Sequence, residues 1–569
     1  MPTKKTKHAD PVLMQVLRYA MEQIADEMGH TLVRTARSTI IKEIKDISCA
    51  VFDRNGNTVA QAHHAPMLLT GFEIPMKSLR KRFRDDELHD GDVIIFNDPY
   101  IGGQHVMDLI TIAPVRYKGE LIGFVGSIAH HADMGGAAAG GTQGGLTEIY
   151  LEGLRFPMVK LFKRGKEDPE LFGILNNNIR VPDKTLGDIR AQASANFVGG
   201  RRLKEIFEKY GIEVVQRHTD ALLDYSEKRI REGLKKLADG TYTGVDHVDD
   251  DGLTGKPIKL QVNIHKRGDR AVVDFDGTDS EVPGNVNCPI ATVNAAVYYA
   301  LIAVADPHAT ANSGCYRPFE VQAREGLVVN PRPPRACGAR TNTSQKITEA
   351  MMLALAQAAP DRVMAGSHGQ ITNCGFRGYH PETGKRFVYV DIQGGGAGAH
   401  WCKDGRDGQD SHLARFMNTP VEAVELEFPM RVEEYSFITD TGGAGKYRGA
   451  LGLRRDIRSL IDELSFGRYG DRQEFAPFGL FGGKEGGKGK FILNPGSSDE
   501  RPLKSKGLDK LKKGDVVSLR LPGAGGYGEP RDRDPQAVLR DVRDGKVSIE
   551  QAEKDYSIAI DPATMEIKK

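Results

Sequence analysis

The sequence lacks a long apolar run. Its most apolar long segment, residues 290–305, contains Thr292 and Asn294, and it is shorter than the roughly 20 apolar residues that a membrane-spanning helix needs. The first ten residues are polar and basic, with no apolar stretch of roughly 7–15 residues behind them as a secretory signal would have. We therefore expect neither a membrane partner nor secretion.

An excess of charge of one sign is also missing. The chain has 78 Lys and Arg residues against 77 Asp and Glu residues, a formal net charge of +1. Proteins that bind nucleic acid through bulk charge usually show a basic excess or a basic stripe. The balance argues against a nucleic-acid partner.

Cysteine is scarce, and none of the six cysteines forms a CxxC pair. This excludes zinc-ribbon and thioredoxin-like sites. Sparse, scattered cysteines are typical of free thiols in a reducing compartment, so the sequence predicts a cytoplasmic protein.

Glycine, in contrast, is abundant. It contributes 65 of the 569 residues, above the usual share of about 7%. Two glycine runs imitate nucleotide-binding motifs. Residues 482–489 place Gly489 where a phosphate loop needs Ser or Thr, and residues 523–528 lack the βαβ context of a dinucleotide site. Surface or structural turns are the better interpretation of both, so no nucleotide site is predicted in this chain.

Periodicity predicts helices and strands that are mixed along the chain. Asp10-Pro11 starts a helix with an apolar stripe, Asn55-Gly56 marks a hairpin, and residues 290–305 and 347–358 read as apolar helices. The predicted class is α+β (mixed α/β) with more than one domain. We place a boundary at 240, giving an N-terminal α+β domain over 1–240 and a glycine-rich α+β region over 241–569.

The residues most informative about chemistry lie between 97 and 133. His105 and Asp108 form an HxxD pair, and His130, His131 and Asp133 form an HHxD group about 25 residues later, with strand between them. Imidazole and carboxylate are ligands of Zn, Mn and non-haem Fe. Adjacent strand residues point to opposite faces, so only one of the two neighbouring histidines readily faces a shared ion. The spacing alone leaves open a metal site or a hydrogen-bonded polar cluster without metal.

Ordered blocks along nearly the whole chain resemble the hydantoinase B/oxoprolinase family. The blocks lie at residues 41–53 (IKEIKDISCAVFD), 91–108 (GDVIIFNDPYIGGQHVMD), 129–136 (AHHADMGG), 274–287, 312–318, 419–422, 440–452 and 525–535. One departure is the run GGGAGAHW at 394–401, where relatives often carry a large residue, and it leaves the shape of the adjacent surface open.

The resemblance implies a hydantoinase B-like fold with a metal site at His105, Asp108 and His130, and with Glu43 as a fourth ligand. His131 or Asp133 would orient a ligand imidazole or carry a proton. Asp98, at the end of the preceding strand, is a further catalytic candidate.

The resemblance also implies a function: one subunit of an ATP-dependent hydrolase that opens a lactam or cyclic imide such as a hydantoin, 5-oxoproline or caprolactam. The expected cofactors are a divalent Zn, Mn or Fe ion here and ATP with Mg on a larger hydantoinase A-type ATPase subunit, with bicarbonate as a possible co-substrate. The expected assembly is a hetero-oligomer such as (αβ)2. Two alternatives stay open, namely a subunit of an ATP-dependent acetone or acetophenone carboxylase and a non-catalytic scaffold for the ATPase. The sequence does not choose among the cyclic amides.

Overall fold

A computed structural model describes residues 9–62, 64–410 and 412–568. The helices are α1 (Pro11–Thr35), α2 (Thr39–Lys42), α3 (Pro66–Leu69), α4 (Glu73–Arg82), α5 (Ile149–Glu152), α6 (Pro169–Asn178), α7 (Pro182–Tyr210), α8 (Ile212–Leu234), α9 (Ile290–Ala305), α10 (Ser313–Tyr316), α11 (Arg340–Ala356), α12 (Val421–Glu427), α13 (Pro535–Arg543) and α14 (Ile549–Tyr556). Within the described ranges, no helix combines the length and the apolar composition needed to cross a bilayer.

The strands alternate with these helices in blocks. They are β1 (Ile47–Asp53), β2 (Thr58–Gln61), β3 (Val93–Phe96), β4 (Asp108–Tyr117), β5 (Glu120–His130), β6 (Val159–Lys163), β7 (Lys166–Glu167), β8 (Gly240–Val248), β9 (Ile258–Arg267), β10 (Arg270–Asp274), β11 (Phe319–Gln322), β12 (Thr372–Tyr379), β13 (Arg386–Gln393), β14 (Met430–Ile438), β15 (Gly452–Ser459), β16 (Leu464–Tyr469), β17 (Lys490–Leu493), β18 (Arg501–Leu503), β19 (Lys506–Leu511), β20 (Val516–Arg520), β21 (Ile560–Asp561) and β22 (Glu566–Ile567).

An antiparallel sheet with the order β2-β1-β5-β4-β3-β6-β7 organises the N-terminal part. Helix α7 packs on β4 and β5, and helix α1 packs on α7 and β1. Strands β4 and β5 are buried along nearly their full lengths, which explains their near-continuous apolar sequences.

Three further main sheets follow, with the orders β11-β10-β9-β8, β13-β12-β16-β19 and β14-β15-β20-β17-β18. Helix α11 packs on α9, β8 and β9. The principal apolar cluster contains residues from both sides of position 240, such as Met28, Leu109, Val293 and Met351. The division at 240 stays a prediction, although β8 does begin a new sheet there.

Most of the predicted elements are present. Helix α1 starts at its Asp10 cap, the β1–β2 hairpin turns at Asn55-Gly56, and α9 has the predicted bounds. Helix α11, however, begins seven residues before the predicted 347, because its polar first half is buried among polar partners and shows no apolar stripe. The mixed helix and sheet class is as predicted.

A buried carboxylate joins the end of α5 to the segment before α11. Glu152 is 3% exposed, and its Oε1 accepts hydrogen bonds from the backbone N–H groups of Cys337 (2.8 Å) and Gly338 (2.5 Å). Burial raises the pKa of Glu152 to about 8, against the opposing effect of these two hydrogen bonds and of Arg340.

This pKa predicts a pH-dependent stability. Between about pH 5 and pH 8 the unfolded chain releases the Glu152 proton and the folded chain keeps it, so the contribution of Glu152 to stability falls as the pH rises, by about 1.4 kcal/mol per pH unit. Glu152→Gln removes the titrating group and should flatten this part of the curve in urea unfolding at several pH values. The exposed Glu325→Gln is the matched control, and parallel curves for wild type and Glu152→Gln would contradict the assignment.

Candidate metal centre

The β4–β5 hairpin brings the two halves of the predicted site together. Lys118 and Gly119, between the strands, both have positive φ (51° and 85°), as a two-residue type I′ turn requires. Tyr117 pairs with Glu120 beside the turn, and a β-bulge between Val115 and Arg116 then shifts the register by one residue. With that shift, Asp108 at the start of β4 pairs with His130 at the end of β5. Directly opposed residues of an antiparallel pair have Cβ atoms about 4.5–5.5 Å apart, so residues 22 positions apart meet at one edge of the sheet.

The HxxD spacing has a local cause as well. The N–H of Asp108 donates to the carbonyl of His105 (3.0 Å), which closes a turn just before β4 and places both side chains together. Gly102, at φ 114°, lets the chain turn into this segment.

The three side chains converge on one point. His105 Nε2 lies 2.8 Å and His130 Nδ1 lies 3.1 Å from the same Asp108 Oδ1, and the two ring nitrogens are 3.2 Å apart. His105, Asp108 and His130 are all buried, at 6%, 1% and 4% exposure. One ligand atom from each lies within 4.8 Å of the others, so the set can hold a metal ion.

The residue just before β1, the strand that pairs with β5, is Asp46. Its carbonyl accepts the N–H of His130 (3.1 Å), and its Oδ2 lies 3.8 Å from His130 Nδ1. Asp46 is 5% exposed and lines the same small cavity as the other three. Glu43, suggested above as a fourth ligand, caps α2 and is partly exposed. It is not among the lining residues, because the chain between it and β1 turns the Asp46 side chain inward instead.

The cavity is small and mostly apolar apart from these groups. Its volume is about 20 Å³, which is enough for one ion or one water. The remaining walls comprise Met67, Leu68, Gly338, Arg340, Thr341, Ile371, Asn373, Ile392 and Phe416. An enclosed, low-dielectric pocket strengthens every electrostatic interaction inside it.

A buried arginine balances the carboxylates. Arg340, 1% exposed at the start of α11, donates from Nη2 to Asp108 Oδ2 and to Gln104 Oε1 (3.0 Å). Its Nε and Nη1 have no hydrogen-bond partner in the described part of the chain. Two N–H-bearing nitrogens are thus left available beside the cluster.

The pKa values of the cluster reflect burial and these neighbours. Burial raises the pKa of Asp46 to about 7, with His130 opposing the shift. Burial also lowers the pKa of His105 to about 4, assisted by Arg340. For Asp108, burial is outweighed by His105 and Arg340, and its pKa lies well below the usual range. At neutral pH, Asp108 is ionised and His105 is neutral, the forms in which both ligate metals.

The predicted catalytic residues lie around the cluster and not in it. His131 Nε2 contacts Gln192 Oε1 (2.9 Å), and Gln192 Nε2 donates to the Leu109 carbonyl of β4 (3.0 Å). Asp133 accepts from the N–H groups of Gly135, Gly140 and Arg180 at 2.8–3.2 Å.

Asp98 has a local structural contact. It accepts the N–H of Tyr100 (3.0 Å) and caps a short 3-10 helix. Its Oδ2 also lies 3.6 Å from Arg155 Nε.

Sequence reasoning missed Asp46, Gln104 and Arg340. Asp46 stands within the block 41–53, three residues after the suggested Glu43. Arg340 begins a polar stretch that leads directly into the apolar helix predicted over 347–358. An arginine with no evident partner just before that helix was the signal that could have identified it.

Comparisons with known proteins agree with this architecture. The model of the hydantoinase B/oxoprolinase family matches residues 10–530. The B-type component of a D-/L-hydantoinase from Pseudomonas sp. (strain NS671) is 35% identical over 574 residues, covering 97% of this chain and 96% of its own. The beta chain of the caprolactamase of Pseudomonas jessenii is 32% identical over 563 residues, with coverage of 97% and 96%.

Solved structures show the same fold. The crystal structure of the ATP-dependent caprolactamase from Pseudomonas jessenii matches with a TM-score of 0.89 at 30% identity, covering 97% of each chain. A nucleotide-free acetone carboxylase structure also reaches a TM-score of 0.89, at 18% identity, covering 98% of this chain and 81% of that one. The second likeness shows the fold alone. The chain belongs to the hydantoinase B/oxoprolinase family.

Proposed function

We propose that this chain is the metal-bearing subunit of an ATP-dependent hydrolase that opens a cyclic amide. The observation that carries the proposal is the buried convergence of His105, Asp108 and His130 in a family whose relatives include components of a hydantoinase and of a caprolactamase.

The donor set suits a divalent ion. Two ring nitrogens that lie within 3.2 Å of each other and approach one carboxylate oxygen bring three lone-pair donors to one point. Neutral imidazole and carboxylate are ligands for Zn, Mn and non-haem Fe. We assign His105, Asp108 and His130 as ligands and replace Glu43 by Asp46 as the fourth. A bound ion supplies positive charge that polarises a carbonyl oxygen and lowers the pKa of water from about 15.7 toward about 7.

The chain's own residues would orient the substrate. The unpartnered Nε and Nη1 of Arg340 offer donors to an oxygen that gains negative charge as the amide opens. The apolar walls, including Met67 and Phe416, exclude bulk water from that oxygen.

The residues around the cluster fit positioning roles. His131 forms a hydrogen bond with Gln192, and Gln192 donates to the backbone at the start of β4. Asp133 accepts a hydrogen bond from the loop that follows β5. We therefore propose His131 and Asp133 as positioning residues, and Asp98 as a cap that fixes the segment leading to His105.

ATP is assigned to a partner. The segments 482–489 and 523–528 are coil packed against other backbone, and neither has the strand and helix context of a nucleotide site. We propose that a larger partner of the hydantoinase A type binds ATP and Mg and phosphorylates the amide oxygen or bicarbonate, in a hetero-oligomer such as (αβ)2.

The sequence resemblance left a ketone carboxylase open as an alternative, so the tests include it. A carboxylase would incorporate labelled bicarbonate into a stable product of acetone or an aryl ketone. A cyclic amidohydrolase would instead release ADP in step with ring opening across a panel of hydantoins, 5-oxoproline and caprolactam, when this chain and its partner are co-expressed.

Removing a ligand should abolish both metal and activity. His105→Ala and Asp108→Ala should each weaken metal binding. The loss should exceed the roughly 10–100-fold that follows when a residue that only supports a metal ligand is removed. Elemental analysis and ATP-dependent ring opening with the partner measure the two effects. His380→Ala, in a β-turn region far along the chain, is the control. Full metal content and full activity in both ligand variants would end the assignment, whereas absence of metal from the wild type and ring opening by the partner alone would favour a scaffold role.

The fourth ligand is tested by a matched pair. Asp46→Asn and Glu43→Gln each convert a carboxylate to an amide, three residues apart. Asp46→Asn should weaken metal binding about tenfold or more, because an amide carries no charge, while Glu43→Gln should change it by less than about twofold. Competition with a chromophoric chelator gives both constants. The reverse order would restore Glu43 as the ligand.

A further inference from the structure

A second cavity lies among α8, α9 and the segment that follows the glycine run. Its volume is about 860 Å³, and its walls include Lys228, Tyr299, His400, Trp401 and His412. A smaller cavity of about 180 Å³ shares Tyr299, Met364, His400 and His412 with it. None of these residues lines the metal cavity.

The walls of the two cavities carry uncompensated positive charge. Within the described ranges, none of Lys228, Lys236, Lys403 and Arg406 forms an ion pair, although all four line a cavity. Three of the five lining carboxylates, Glu232, Asp306 and Asp404, pair with a lysine or an arginine. Asp306 pairs with Arg229 (2.7 Å), and Asp404 pairs with Arg533 (2.6 Å). The excess cations favour an anionic ligand.

A buried acid–imidazole pair lies where the cavities meet. His412 Nε2 is 3.2 Å from Glu349 Oε1, and both side chains are fully buried. Glu349 is fixed in turn by the N–H of Ser367 (3.0 Å) and by its hydroxyl. No described residue forms a hydrogen bond with His412 Nδ1. A buried polar atom without a partner costs free energy unless a ligand satisfies it.

The backbone supports this placement of the imidazole. His412 has a φ of 47°, in the left-handed region that non-glycine residues rarely adopt. Such strain concentrates at ligand-binding positions. Burial opposes ionisation of Glu349, but His412 and its other neighbours outweigh it and lower the pKa of Glu349 to about 2.

The glycine run 394–396 packs against the same cluster. A Cβ on Gly395 would lie 2.5 Å from Cγ of His368, and one on Gly394 would lie 3.4 Å from Cβ of Asp410. His368 Nε2 is 3.8 Å from Asp410 Oδ1. A larger residue at position 395 would displace the His368 ring, whose neighbour Ser367 donates to Glu349.

We propose that Glu349, His412 and the surrounding cations form a binding site for a small oxyanion, a carboxylate or a phosphate, separate from the metal centre. Glu349 lies beside Nε2 of the His412 ring, so Nδ1 is the ring nitrogen left for the anion. His412 Nδ1–H donates to an oxygen of the anion. Lys403 and Arg406 are exposed at the entrance and draw the anion in. The site does not depend on the proposed enzyme activity.

The chain provides its own reporter. Trp401 is the only tryptophan of the sequence, lines the larger cavity and is 51% exposed. Inorganic phosphate and, separately, acetate are titrated into the full chain at constant ionic strength with sodium chloride, following tryptophan fluorescence and heat release. Saturable binding in the millimolar range or tighter is expected for at least one anion. Saturation with phosphate alone identifies a phosphate site, and saturation with acetate alone identifies a carboxylate site. No saturation with either, by both measurements, overturns the proposal.

Variants locate the binding. His412→Gln should weaken it at least tenfold, and the surface double variant Lys403→Gln/Arg406→Gln should weaken it severalfold without touching the core. His380→Gln is the histidine control. Unchanged affinity in both test variants would overturn the proposal. If His412→Gln is unstable, unchanged affinity in the surface variant alone overturns it. The titration is repeated with a chelator and with added Zn²⁺. An unchanged affinity separates this site from the metal centre, and a loss of binding on chelation would refute the separation.

Discussion

The antiparallel register that sets Asp108 opposite His130 determines where the chemistry of this protein lies. The Lys118–Gly119 turn and the β-bulge at Val115 and Arg116 together fix the register of β4 on β5, and the pairing of β1 with β5 adds Asp46 at the same edge. Because successive strand residues alternate between faces, a shift of one position would turn His130 away and bring His131 in. The cluster is therefore a consequence of sheet register, and the buried β4 and β5 on which α7 packs stabilise that register.

Helix α11 provides the charge that this edge needs. Its Arg340 pairs with Asp108, its Lys346 lies 3.4 Å from Asp471, and its Glu349 contacts His412. Each of these groups is fully buried. An unpaired buried charge is strongly destabilising, so each must keep its partner. One helix thus connects the metal centre with the second cavity through three paired charges.

Local signals predicted much of the fold, and they predicted part of the site. Residues close together in the sequence determine where α1 begins, at its aspartate and proline, and where the first hairpin turns, at its Asn-Gly pair. Both features were predicted correctly. Spacing drew attention to the HxxD pair and the HHxD group, and the family resemblance selected His105, Asp108 and His130 from them. Arg340 was not identified, because it reaches Asp108 across 232 positions of the chain, and no periodicity records such a contact. Asp46 was missed for a different reason. Glu43 and Asp46 are close together in the sequence, and only the turn into β1 determines which of the two side chains faces the metal cavity.

The polar first half of α11 bears on how the chain assembles. Residues 340–349 include Asn342, Thr343, Ser344, Gln345 and Lys346, all at 0% exposure, and an isolated helix of this length gains little from propensity alone. Its partners come from strands and loops on both sides of position 240, so the helix becomes stable only after those surroundings are in place. The two halves of the polypeptide are consequently poor candidates for separate expression, because a fragment ending near 240 would leave Asp108 without its guanidinium, and the complementary fragment would leave that guanidinium buried and unpaired.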